Sequence, residues 1–185
     1  MDATITPLWQ RIIDKYYSDN PALRHILVVH SRSVADAALE IARRHPELPV
    51  DTGFLEEAAM LHDIGIFKTL APSIQCFGDQ PYICHGLLGA ELLRSEGLPR
   101  HARVAERHTG TGLTAEDIRR QGLPLPVFDY VPETVEEQII CYADKFFSKT
   151  RLDHRKTADE ALRSLMKFGD GSVRRMTAWI HQFGA

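Results

Sequence analysis

Cysteine is scarce in this sequence, and what there is lacks pattern. Cys76, Cys84 and Cys141 are odd in number and form no Cys-x-x-Cys pair. That excludes a disulfide framework and a thiolate zinc knuckle, and leaves buried free thiols as the expectation. No run approaches the ~20 apolar residues that a membrane helix needs, and "MDATITPLWQ" has no basic segment leading into an apolar one. A cytoplasmic protein with no membrane partner is expected. Charge of one sign is missing too: the formal net charge is -3, so no global basic excess points to a nucleic acid polymer. Phosphate-binding G-x-x-x-x-G-K-[ST], the dinucleotide-binding glycine fingerprint and the G-x-S-x-G nucleophile turn are all absent. "GTGL" at 110–113 has no strand before it. Cys84 and His85 are neighbours, but adjacent side chains do not aim at each other as a nucleophile and its base must.

Apolar residues, by contrast, are plentiful at 44% of the 185 residues, enough for one domain with a proper core. They recur at helical spacing throughout and nowhere alternate strictly, so the expected fold class is all-α. Helices are expected over about 7–18, 21–44, 52–62, 86–96, 99–108, 115–120, 134–150, 157–168 and 172–183. Pro21 suits a first helical turn, Asp51 or Thr52 can cap the third helix, and Thr114 with Asp117 resembles a capping box. Gly65 is expected to let the chain turn. "APSIQCFGDQP" and "GLPLPVFDYVPE" read as irregular connectors able to rim a pocket. An exposed "AWIHQFG" end would favour a homodimer, with Trp179 and Phe183 in the core or at a subunit interface.

Histidine is the abundant residue, with nine copies. In "AAMLHDIGIFK", 58–68, Leu55, Ala58, Ala59 and His62 share a helical face, so His62 and its neighbour Asp63 lie in apolar company. His30, His85, His108 and Asp144 also sit on or beside apolar helical faces. Read singly, each has a bland account: a satisfied core histidine, a helix cap, a structural salt bridge. Together, four imidazoles and two carboxylates converging from five helices would carry unmet hydrogen bonds and charge, which divalent metal compensates. Nitrogen and oxygen donors without thiolate favour iron, manganese, zinc, nickel or cobalt. A carboxylate beside a histidine can bridge two ions, an arrangement suited to phosphoester hydrolysis.

His30, the doublet His62-Asp63 and Asp144 in "CYADKFFSKT" resemble the H…HD…D signature of the HD-domain superfamily of metal-dependent phosphohydrolases, and "HDIG" at 62–65 resembles its HDIG subgroup. His85 in "CHGLLGAELL" and His108 in "ERHTG" match the extra histidines of two-metal members, including bacterial hydrolases of diadenosine tetraphosphate. The resemblance covers roughly residues 25–150 and implies a single HD-type helical domain over 1–185, with the helices at 157–183 packed on the metal-binding core. It implies that His30, His62, Asp63 and Asp144 hold one ion, that His85 and His108 join a second, and that Asp63 bridges. It further implies a metal-bound hydroxide as nucleophile on a small phosphorylated substrate, most plausibly a nucleotide. His85 or His108 could instead hold the substrate phosphate at a one-metal site, and His101 takes the place of His108 if its helix is rotated. Lys68 and Lys145 are the candidates for phosphate contact and acid catalysis. Lys68 lies further from the doublet than the lysine of some relatives. Arg32, Lys149, Arg151 and the run "SKTRLDHRK", 148–156, read as solvated or salt-bridged, although any of them could reach the pocket. A nucleotide-binding module without turnover and a mixed-valent di-iron oxygenase are the alternatives on the same scaffold.

Overall fold

Local signals and helix ends agree closely in the computed structural model, which describes residues 6–184. Helix α1 (Leu8–Tyr17) is followed by the long α2 (Pro21–Arg44), whose start is set by Pro21 and by Asn20, its side chain accepting a hydrogen bond from the Leu23 N–H. Asp51 caps α3 (Thr52–Leu61) by accepting from the Phe54 N–H at 3.0 Å. Then come α4 (His85–Ser95), α5 (Pro99–Arg107), α6 (Ala115–Gln121), α7 (Val135–Asp144), α8 (Ala158–Leu165) and α9 (Asp170–Phe183). Thr114 with Asp117, Thr134 with Glu137 and Thr157 with Glu160 each form a reciprocal capping box. Each such cap contributes about 1 kcal/mol by satisfying amides that a helix start would otherwise strand.

The core is built where α2 packs on α3 and α7, α4 on α5, and α3 and α7 on α5. Alanines at 35, 38, 58, 59, 102, 105 and 143 are buried at these crossings, and their short side chains let helix axes approach closely. Leu27, Leu55, Leu61, Ile139 and Ile140, all wholly buried, fill the layers between, each contributing about 1.5–3 kcal/mol of burial. A smaller cluster of Leu113, Ile118 and Tyr130 anchors α6 and the connector after it.

Two expectations are corrected. The helix expected to run to residue 150 ends at Asp144, and the chain turns back through a Ser148–Arg151 bridge. The 70–80 segment is not wholly irregular: β1 (Leu70–Ala71) pairs antiparallel with β2 (Cys76–Phe77) as a minimal hairpin, too short for any alternation to show in sequence. The chain turns at Gly65 as expected, directly after α3 and with an ordinary φ of -84°. Glycine is needed there for contact, since a Cβ would lie 2.3 Å from the His85 carbonyl oxygen and 2.4 Å from the Gly89 nitrogen. Trp179 and Phe183 of α9 are buried in the core, the first of the two places expected for them. Among the described residues no helix is long and apolar enough to cross a membrane.

Candidate metal centre

Helix ends deliver the polar groups. His62 and Asp63 follow the last turn of α3, His85 opens α4, His108 follows α5, and Asp144 closes α7, while His30 comes from the middle of α2. All six are buried, His62 and Asp63 completely. Gly65 permits α4 to sit directly on the turn that follows Asp63, which brings His85 within reach of its carboxylate.

Asp63 is the hub. Its Oδ2 lies 3.1 Å from His30 Nε2 and 3.1 Å from His62 Nε2, and its Oδ1 lies 3.3 Å from both His85 Nε2 and His108 Nε2. Asp144 Oδ1 completes the first side, 3.0 Å from His30 Nε2 and 3.4 Å from His62 Nε2. Two groups of potential ligand atoms result, His30, His62, Asp63 and Asp144 on one side and Asp63, His85 and His108 on the other.

Tautomers follow from the backbone. Nδ1 of His62, His85 and His108 sits 2.6, 2.7 and 2.7 Å from the carbonyls of Ala59, Tyr82 and Ala105. A carbonyl only accepts, so each Nδ1 carries hydrogen and donates, and each neutral ring offers a lone pair at Nε2. His85 Nε2 and His108 Nε2 stand 3.0 Å apart, both facing a carboxylate oxygen. Burial pushes both rings below the ordinary imidazole value, His85 to about 3, so neither holds a second proton to place between them. Oδ1 of Asp63 and Nε2 of His62 make no hydrogen bond among the described residues, and Oδ2 of Asp63 is met there by the Lys149 ammonium without hydrogen-bond geometry. Uncompensated buried lone pairs are costly, and a divalent cation is the group that satisfies them at this charge and donor chemistry. The residues fit the metal that the sequence implies.

Charge elsewhere in the site is balanced by lysines. Lys149 Nζ lies 2.5 Å from Asp63 Oδ2, and Lys145 Nζ donates to Asp144 Oδ2 at 2.7 Å and to the His108 carbonyl at 2.9 Å. Burial alone would raise both carboxylates, but Lys149 and His62 hold Asp63, and Lys145 and His30 hold Asp144, well below the ordinary range. Burial would likewise lower His62, yet Asp63 and Asp144 lift it from 6.5 to about 9. A folded-state pKa raised in this way stabilises the protein fully below about pH 6.5 and is lost as pH rises through about 9. Chelator-stripped protein should therefore lose thermal stability between pH 6.5 and 9 while metal affinity rises across the same window, because metal displaces the His62 proton. Thermal scans of stripped and metal-loaded protein check this; identical pH trends in the two forms would contradict it.

The centre opens into a cavity of about 670 Å³ whose wall includes His85, His108, Asp144, Lys145 and Lys149. Lys68 is not part of it. The short 3-10 turn Ile66–Lys68 buries Ile66 and leaves Lys68 in a separate shallow depression with Phe67, Phe77 and Gln80, which corrects its expected substrate and acid roles. His101 also stays away, packed on Phe54 and 3.4 Å from Glu57, so His108 is the histidine that α5 brings to the centre. Arg32 pairs with Glu56 at 2.7 Å. Lys149 is the residue that the sequence undervalues: a helix running to residue 150 is expected to carry it, whereas the chain turns back after Asp144 and brings it onto Asp63.

Comparison with known proteins agrees with this geometry. The HD domain family model matches residues 27–148. A tRNA (cytidine(56)-2'-O)-methyltransferase of Picrophilus torridus is 35% identical over 147 residues, 78% of this chain and 37% of that protein. A protein of the same name from Thermoplasma volcanium is 32% identical over 158 residues, 85% of this chain and 41% of that protein. The chain thus spans about two fifths of the length of these two relatives. An uncharacterised protein of Methanocaldococcus jannaschii is 33% identical over 144 residues, 76% of each chain. The HD domain of the L. monocytogenes phosphodiesterase PgpH superposes with a TM-score of 0.52 at 19% identity, covering 90% of this chain and 93% of that one, and so shares the helical fold. All six converging histidines and aspartates fall inside the matched span, and by that match the chain belongs to the HD domain family.

Proposed function

We propose that this protein is a metal-dependent phosphohydrolase that cleaves a phosphomonoester or phosphoanhydride of a nucleotide or related small molecule. The observation that carries the reading is the pairing of a buried two-sided donor set, shared through Asp63, with a cavity lined by lysine ammonium groups. Iron, manganese, zinc, nickel or cobalt, one ion with His30, His62, Asp63 and Asp144 and another with Asp63, His85 and His108, would supply Lewis acidity and water activated near neutral pH.

The chain's own residues account for the rest. Asp63 and Asp144 stay ionised throughout the neutral range, because their pKa values are held low. Lys145 spends two N–H groups on Asp144 and the His108 carbonyl, which leaves a third to donate to a phosphoryl oxygen at the cavity edge. Lys149, on the other side, neutralises anionic charge close to Asp63. Nδ1–H bonds to backbone carbonyls aim Nε2 of three imidazoles at the centre; His85 and His108 are already in the ligating tautomer, and His62 reaches it once its Nε2 proton is displaced.

A second reading is a nucleotide-binding regulatory module without turnover. It draws support from the relatives named for methyl transfer to tRNA, in which a region like this chain accompanies a greater length of other sequence. Elemental analysis of protein purified without chelator, together with a panel of phosphomonoesters, cyclic phosphodiesters and dinucleoside polyphosphates, separates the two. About two transition-metal ions per chain, from the two donor groups, with release of phosphate or nucleotide is the expected result. Full loading with tight binding and no turnover would select the regulatory module, and no metal even after reconstitution would defeat both.

A further inference from the structure

Lysine is concentrated in the cavity beyond what the metal centre uses. Four lysines line it, Lys145, Lys149, Lys156 and Lys167, against a single acidic lining residue, Asp144. Two of the four are committed, Lys145 to Asp144 and Lys149 to Asp63. The other two are not: among the described residues neither Lys156 nor Lys167 has a carboxylate within 4.0 Å, and the only close partner of the Lys167 ammonium is the Phe168 ring, 5.2 Å below it. Lys156 feels the charges of Asp144, Lys145, Lys167 and Arg151, so it shares one electrostatic environment with the lysines paired to Asp63 and Asp144. Burial of Lys156 lowers its pKa, which an adjoining anion would reverse.

The surroundings of the far lysines suit an organic phosphate better than a bare ion. Phe147, Phe168, Ile83 and Leu165 supply apolar wall between the polar groups. The Phe168 ring is fixed against Gly110, where a Cβ would come within 3.2 Å of it. Residues 145–175 contain nine of the chain's 22 lysines and arginines but only four of its 25 acidic residues. The stretch around the mouth is therefore locally positive in a chain that is negative overall, which draws polyanions to this opening.

We propose that Lys156 and Lys167 form a second anion subsite, apart from the metal ligands, which holds a non-reacting phosphate of the substrate. The inference rests on the phosphohydrolase reading and narrows it: the substrate carries at least two phosphate groups on one organic body with an apolar or aromatic part, one phosphate presented to the centre around Asp63 and one to the far lysines. A small bisphosphate and the phosphorylated end of an oligonucleotide share that chemistry.

Calorimetric titration of metal-loaded protein tests it without requiring turnover. The probes are adenosine 5'-monophosphate, adenosine 3',5'-bisphosphate and a 5'-phosphorylated trinucleotide, titrated into wild type, the double variant Lys156→Gln/Lys167→Gln and the conservative Lys167→Arg. Wild type should prefer the bisphosphate over the monophosphate by about tenfold or more. That ratio should fall close to one in the double variant and persist in Lys167→Arg. Equal affinity for the two nucleotides in wild type, or a ratio that survives the double substitution, would overturn the subsite. Preference for the trinucleotide over the bisphosphate, lost in the double variant, would support it and assign the second phosphate to a nucleic acid end; the reverse preference, lost in the same way, would support it and assign the phosphate to a small molecule. A lysine-dependent preference without hydrolysis of any probe would leave the subsite standing and place the failure with the hydrolase reading.

Discussion

Replacing Asp63 with asparagine is expected to strip the protein of both metal ions and reduce phosphoester hydrolysis by about 10³-fold or more, several kcal/mol of transition-state stabilisation at 1.36 kcal/mol per decade. The substitution preserves shape but not chemistry. Oδ1 of Asp63 faces His85 and His108, and Oδ2 faces His30 and His62, so an amide must turn its NH2 group toward one histidine pair. It would donate where that side needs a second lone pair, and it would remove the shared negative charge from both. Lys149 loses its partner at the same time, and stranding one member of a buried pair costs about 3–5 kcal/mol. Elemental analysis, circular dichroism and a hydrolysis assay on the same preparation check the three consequences. An Asp63→Asn protein that still holds two ions and turns over substrate would refute the central place given to this carboxylate.

Gly65→Ala is the second large effect, and its origin is steric. The added methyl would meet the His85 carbonyl oxygen at 2.3 Å and the Gly89 nitrogen at 2.4 Å, both backbone atoms that no rotamer change can clear. Overpacking of this kind costs about 1–3 kcal/mol or more, and at roughly 2–4 °C per kcal/mol for a chain of this size a fall in Tm of roughly 5–10 °C follows. The displacement has a direction: α4 must move off the turn after Asp63 and take His85 with it. Metal content should therefore drop toward one ion per chain, with the side formed by His30, His62 and Asp144 the better preserved. Unchanged melting and two retained ions would show that the contact is looser than it stands here.

Most helix starts and the gathering of the six histidines and aspartates are legible because they depend on local chemistry. A capping box at Thr114, Pro21 at a first turn, and titratable groups on apolar faces all announce themselves within a few residues. What escaped depends on where the chain goes next. Lys149 follows Asp144 by five positions, and on a continuous helix it would have pointed elsewhere; only the turn back through Ser148 and Arg151 sets it against Asp63. Lys68 failed in the opposite way, close in sequence to the doublet but turned outward by a short 3-10 segment. Lys156, inside a run read as a solvated turn, reaches the cavity because the same reversal brings that run over the opening. Gly65 marks the turn in the sequence but not the close approach of α4, since proximity of another helix leaves no mark on local sequence.

His62, His85 and His108 each donate to a carbonyl three positions back in their own chain segment, so none of the three borrows its orientation from a distant side chain. His30, whose Nδ1 has no partner among the described residues, is the exception. A ring anchored to its own backbone keeps its aim however the neighbouring side chains are exchanged. Selection can then rewrite the cavity wall, its lysines, aromatics and loops included, without re-solving the reactive centre each time. In such an arrangement new ligands are within reach of a few surface substitutions, whereas the buried donor set changes only when a helix end itself is moved.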